Sequence, residues 1–196
     1  MRYAANILVY LALSLWIGGL IVFGAVVAPA LFGGAIPRTL AGSINTTILS
    51  RLGVVEMVAG VVLVGGMLYL AVRVGSWMNW GALALSIAML VTATYYTQVL
   101  FPKVNRLRVE IGSFETIQAE KIPLKAAFDR EHAVYSSMAK GVLFAAVALL
   151  VLHTISLVRA SGRGQAAAPA TETVEVIKRQ TPRPVNEVIE QARVFF

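Results

Sequence analysis

A handful of polar residues interrupts an otherwise apolar chain, and they gather at one end of its hydrophobic segments. Glu56 lies one turn inside an apolar run, Tyr95, Tyr96, Thr97 and Gln98 close the next, and His132 and Tyr135 open the last. Arg51, Arg106, Asp129, Arg130 and Glu131 stand just outside. A carboxylate at the depth of Glu56 must be paired, hydrogen-bonded or protonated, because an isolated buried charge is very unfavourable. Arg51 and Arg106 are its expected partners. Such a set could hold a cation or pass a proton; it could equally be a buried ion pair that fixes helix register. His132 is either a proton-carrying or ligating group, given an ordinary pKa of about 6.5, or a satisfied histidine at the membrane surface. The candidate pocket is therefore Glu56, His132, Arg106, Arg51, Tyr95, Gln98 and Glu131, and no residue is assigned a catalytic role.

Metal and cofactor chemistry finds little to work with. The chain has no cysteine, so thiolate sites, disulfides and cysteine nucleophiles are absent. His132 and His153 are 21 residues apart in one segment, about 31 Å along a helix, too far to share one ion or clamp one haem. No metal and no cofactor is expected, although a weak oxygen and nitrogen set from Glu56, Glu131 and His132 stays open. The Gly18-Gly19 pair is not a phosphate loop, since no strand precedes it and no Lys-Ser/Thr follows.

The elements that must position these groups are membrane spans. Ala4–Phe32 carries no charge, and a bilayer core of about 30 Å needs roughly 20 apolar residues of helix. Three further runs follow, at about Leu52–Val72, Trp80–Phe101 and Ala133–Val158. With 58% hydrophobic and 14% charged residues and a mean hydropathy of +0.74, the chain reads as an all-α, integral membrane four-helix bundle. The first run is about twice the length of a signal-peptide core and has a proline in its only cleavage-like site, so it is expected to remain as a span. A bend is expected at Pro29. Gly33–Arg51 reads as a polar loop and Gly75–Asn79 as a tight connection with Trp77 and Trp80 at the membrane surface. Between spans three and four, Val104, Leu107, Ile111 and Phe114 recur at helical spacing, as do Leu124, Phe128, His132 and Tyr135. Helices 3 and 4 are thus expected to extend beyond the bilayer as an antiparallel pair joined near Gly112–Lys121. Gly18, Gly19, Gly24, Gly60, Gly65, Gly66 and Gly141 are expected to let helices approach closely.

Residues 1–160 form the membrane domain in this reading. Residues 161–196 form a flexible tail, with Val185, Val188, Ile189, Ala192 and Phe196 spaced for a short amphipathic helix. The net charge of +7 is read as Lys and Arg meeting lipid headgroups rather than nucleic acid. Basic residues divide evenly between the two sides over the whole chain; those near span ends favour a cytoplasmic long connection, in the inner membrane if the source is bacterial. The implied partners are the lipid bilayer, a small cation, and either a protein partner or a second copy of the chain.

Several short motifs then fall in a recognisable order: Trp16-Ile17-Gly18-Gly19, Ala28-Pro29-Ala30-Leu31-Phe32, Pro37 with Ala41-Gly42, Pro102 with Leu107-Arg108, and Phe128-Asp129-Arg130-Glu131-His132. In that order, across about residues 5–158, the chain resembles the transmembrane protein 205-like family of small four-helix membrane proteins. It departs from the family at Glu131, where a leucine is expected. The resemblance implies the four-helix fold but no biochemical activity. The family's eukaryotic namesake is associated with resistance to a platinum drug, which implies handling of small cargo. The spans are distantly similar to the copper-resistance protein D group and to the membrane protoporphyrinogen oxidase of haem synthesis; the latter's first-span histidine is missing here, so haem chemistry is not expected. Two functions outside transport also fit the residues: a membrane scaffold or assembly factor binding partners through the protruding helices, and a membrane redox enzyme.

Overall fold

The computed structural model describes residues 2–166, with side chains through residue 159. Among these residues every regular element is helical. Four helices are long and apolar enough to cross a membrane. They are α1 (Arg2–Phe32), α2 (Arg38–Val74), α3 (Trp77–Ile111) and α4 (Ile122–Ala166). A single 3-10 turn, Ala119–Lys121, leads into α4.

Two helices change winding at matching places. In α1 the turn Phe23–Val27 is π-helical, and in α3 so is Tyr96–Leu100. Each is followed two residues later by a proline, Pro29 and Pro102. Proline lacks an N–H and its ring crowds the carbonyl four residues back. Widening the preceding turn relieves this, and the residue before each proline bonds five residues back, Ala28 to Phe23 and Phe101 to Tyr96. The expected bend at Pro29 is thus a wide turn inside a helix that continues to Phe32.

The stretch Gly33–Arg51, read above as a loop, is mostly helix. Only Gly33–Pro37 connects, and α2 begins at Arg38. Its Thr and Ser residues look like loop formers, but their hydroxyls bond to the preceding turn of their own helix: Thr46 to Gly42 at 2.9 Å and Ser50 to Thr47 at 2.9 Å. At 37 residues α2 is about 55 Å long, well beyond a bilayer core. The protruding end therefore contains α2 as well as the expected pair α3 and α4, which are joined by Gly112–Lys121. The second connection is shorter than expected: Gly75, in the left-handed region at φ 67°, ends α2, and α3 starts at Trp77.

Packing brings α1 against α2 and α2 against α3. The core contains Val9, Leu13 and Trp16 from α1, Leu63 and Met67 from α2, Met89 from α3 and Leu149 from α4. Gly60 and Gly66 make room for it: a Cβ at Gly60 would lie 2.7 Å from Leu90 and 3.1 Å from the Trp16 ring, and one at Gly66 would lie 2.7 Å from Val9. Gly19 is equally tight against Leu52. Gly18, Gly24, Gly65 and Gly141 have no such neighbour, so the close-packing role expected of them does not hold. Around this core Leu8, Leu11, Leu15, Val54, Val58, Val61 and Phe144 are exposed. An apolar belt of that extent suits lipid rather than water, and the four helices have the build of a multi-pass membrane protein.

The backbone of α4 is helical to Ala166. The remainder of the expected tail and its amphipathic helix lie outside the described residues.

Candidate functional site

Glu56 sits on the inner face of α2 and is only 3% exposed. Its carboxylate accepts a hydrogen bond of 2.5 Å from the Tyr96 hydroxyl. Tyr96 lies in the π-helical turn of α3 and is itself buried. The Tyr135 ring of α4 meets Tyr96 edge-on at 5.3 Å. Neither expected partner reaches Glu56. Arg51 and Arg106 are both exposed, and no ion pair among the described residues includes Glu56. A helix whose inner face is apolar turns long guanidinium side chains outward to the membrane surface, so the carboxylate is left to a neutral phenol.

The other side of Glu56 borders a cavity of about 360 Å³ between α1, α2 and α4. His132, Tyr135, Ser136 and Lys140 line it from α4, and Asn45 and Leu49 from α2. The α4 residues recur at three- and four-residue spacing, one face of a helix. Asn45 and Glu56 are eleven residues, or three turns, apart, so they share a face of α2. Lys140 makes no ion pair with Glu56 among those present.

A second cavity, of about 240 Å³, adjoins the first and shares Phe32, Asn45, Leu49, His132 and Tyr135 with it. It reaches toward the protruding end, where Arg38, Asn105 and Arg108 line it. Its wall includes a stack of three rings. Phe114 meets Phe128 at 5.3 Å, and Phe128 lies parallel to His132 at 5.6 Å.

Of the seven expected pocket residues, the structure brings together Glu56 and His132. Arg51, Arg106 and Tyr95 line neither of these cavities. Gln98 is exposed and lines a separate groove between α2 and α3. Glu131 turns to Lys103 at 2.8 Å, so the set Glu56, Glu131 and His132 is not assembled. Among the described residues no three acidic, histidine or cysteine side chains are grouped for a metal ion. Tyr96 replaces Tyr95 as the tyrosine of the site, since Tyr95 is 45% exposed. Asn45, Arg38, Asn105, Arg108 and Lys140 were not expected in the pocket. The eleven-residue spacing of Asn45 from Glu56 would have found the first of them, had α2 been extended to Arg38.

The end of the bundle near the N-terminus also carries polar contacts. The Tyr10 and Thr154 hydroxyls are 3.0 Å apart, and Tyr10 packs on His153, their ring centroids 5.1 Å apart. Ser156 donates to buried Asn79 at 3.4 Å. These residues are scattered singly through apolar runs, and only the packing collects them.

Residues 11–113 match the family described as Domain of unknown function (DUF4149). The match covers more than half of the chain and takes in most of α1 and all of α2 and α3. The chain belongs to the DUF4149 family. No curated protein and no solved structure matches it. The DUF4149 match contains Glu56, Tyr96, Asn45 and Arg108, whereas His132, Tyr135 and Lys140 on α4 lie beyond it.

Proposed function

We propose that this DUF4149 protein binds a proton at Glu56 and uses it in handling a small solute in the membrane, without catalysing a reaction. The observation that carries this reading is a buried carboxyl group with no cationic partner among the described residues, bonded to a neutral tyrosine and bordering a cavity. Ionisable groups inside spans are rare, face the bundle interior or a water-filled cavity, and mark ion pathways and proton relays. Among cations the proton fits best. Lys140, Arg38 and Arg108 border the approach, so a permanent cation meets like charges, whereas a proton can arrive on water, on the Tyr135 hydroxyl or on the His132 ring. Resemblance to the transmembrane protein 205-like proteins, whose namesake is linked to drug resistance, supports handling of small cargo.

The test is infrared difference spectroscopy of the full chain in proteoliposomes across a pH titration, with proton flux followed in parallel by an entrapped dye. A carboxyl band that titrates in the wild type should vanish in Glu56→Gln, with pH-driven flux falling at least about tenfold. Unchanged spectra and flux in Glu56→Gln would overturn the proposal.

A second reading treats the protruding end as a docking platform. It rests on Val109 and Ile122, both exposed apolar residues near that end. It requires that Val109→Glu with Ile122→Glu abolish co-purification of a defined protein partner.

A further inference from the structure

We infer that the cavity at the protruding end is a binding site for the anionic head of a single-chain amphiphile, whose tail continues into the neighbouring cavity. This goes beyond the proton site at Glu56: the head group rests on Arg38 and Arg108, and only the tail shares the cavity that Glu56 borders. The cavity is walled by aromatic and aliphatic side chains, yet Arg38 and Arg108 both line it and no carboxylate does. No ion pair among the described residues includes either arginine. Arg108 is half-buried and already oriented: its Nε and Nη2 donate to the Asn105 carboxamide oxygen at 3.2 and 3.1 Å. Arg38 opens α2 and is exposed. Glu115 stands near Arg38 outside the cavity but gives its carboxylate to Thr39.

Two guanidinium groups without an ion-pair partner among the described residues recognise carboxylate or phosphate, and planar forked donors do so with defined geometry. Asn45 adds a buried carboxamide oxygen with no hydrogen-bond partner, at the point shared by the two cavities. Buried polar atoms of this kind are normally satisfied, so a head group bearing a hydroxyl, or a water beside it, completes the site. Beyond Asn45 most of the lining is apolar, with Leu20, Phe23 and Leu143, and Glu56, Ser136 and Lys140 are its polar members. The path from Arg38 to Glu56 spans 18 residues of α2, about 27 Å, long enough for an acyl chain lying along it. A free small anion would leave that apolar length unused.

The experiment uses the purified full chain in a neutral detergent. Binding of oleate, oleyl lysophosphatidate, oleyl alcohol and inorganic phosphate is measured by native mass spectrometry and thermal shift. The two anionic amphiphiles should bind at least about tenfold more tightly than the alcohol, the difference made by one charge-assisted contact, and inorganic phosphate should not bind. Their ranking tells a carboxylate source from a phosphate source. Arg38→Gln with Arg108→Gln should remove the preference for the anions, whereas Arg106→Gln, outside the cavity, should keep it. Equal binding of alcohol and anions by the wild type, tight binding of phosphate alone, or equal loss in Arg106→Gln would each overturn the inference. The wild-type preference decides the matter even where the double variant does not fold.

Discussion

Thr39 and Glu115, 76 residues apart, clasp the start of α2 to the connection between α3 and α4. The Thr39 backbone N–H donates to one Glu115 carboxylate oxygen at 2.9 Å and its hydroxyl donates to the other. The same hydroxyl accepts the Phe114 N–H at 2.9 Å. Phe114 is thereby set against Phe128 in the wall of the upper cavity.

The clasp has a defined pH dependence. Hydrogen bonds from Thr39 push the Glu115 carboxyl down to about 2, from an ordinary 4.5. Its folded value lies below its unfolded value, so its contribution is complete above about pH 4.5 and lost as pH falls toward 2. Unfolding of wild type and Glu115→Gln, compared from pH 7 to pH 2, should show a difference that is constant down to about 4.5 and then disappears.

Removing the hydroxyl that faces Glu56 should destabilise the bundle. Tyr96→Phe leaves a buried carboxyl group without its partner and should cost about 1–2 kcal/mol. Tyr95→Phe, at an exposed position one residue away, should stay within about 0.5 kcal/mol. Thermal unfolding in detergent compares the two; an equal effect would mean that Glu56 does not depend on its phenol.

Glycines in α2 should divide sharply. Gly60→Ala forces a Cβ against the Trp16 ring and Leu90 and should cost about 1–3 kcal/mol. Gly65→Ala meets nothing and should gain about 0.5–1 kcal/mol from helix propensity. Both are read from the same unfolding measurement.

Glu131→Leu should be close to neutral. The ion pair it removes has Lys103 at 56% exposure, and pairs open to water contribute at most about 1 kcal/mol. A larger loss of stability would show that the pair anchors α4 to α3.

The spans were legible because hydropathy is a local property and each run is long. The start of α2 was not. Gly42, Ser43, Asn45, Thr46 and Thr47 carry loop chemistry in isolation, yet α2 accommodates them, with the Thr46 and Thr47 hydroxyls bonded back to the Gly42 and Ser43 carbonyls. Glu56 and His132 were legible as misfits in apolar surroundings. The choice between Tyr95 and Tyr96 was not, because it needs the buried stripe Ser86, Met89, Ala93, Tyr96 and Leu100 of α3, which an apolar run hides. Arg38 and Arg108 enter the pocket only once α2 is known to protrude beside α3.

The paired wide turns before Pro29 and Pro102 bear on how these helices tolerate change of length. A π turn holds one residue more than an ordinary turn, so each helix carries a spare residue at that level. Deleting Ala25 from α1 should close the turn while leaving the segments on either side helical, whereas the same deletion in the middle of α2 would rotate everything beyond it by about 100°. Homologous chains that lack the proline are therefore expected to align with a single-residue gap just ahead of it.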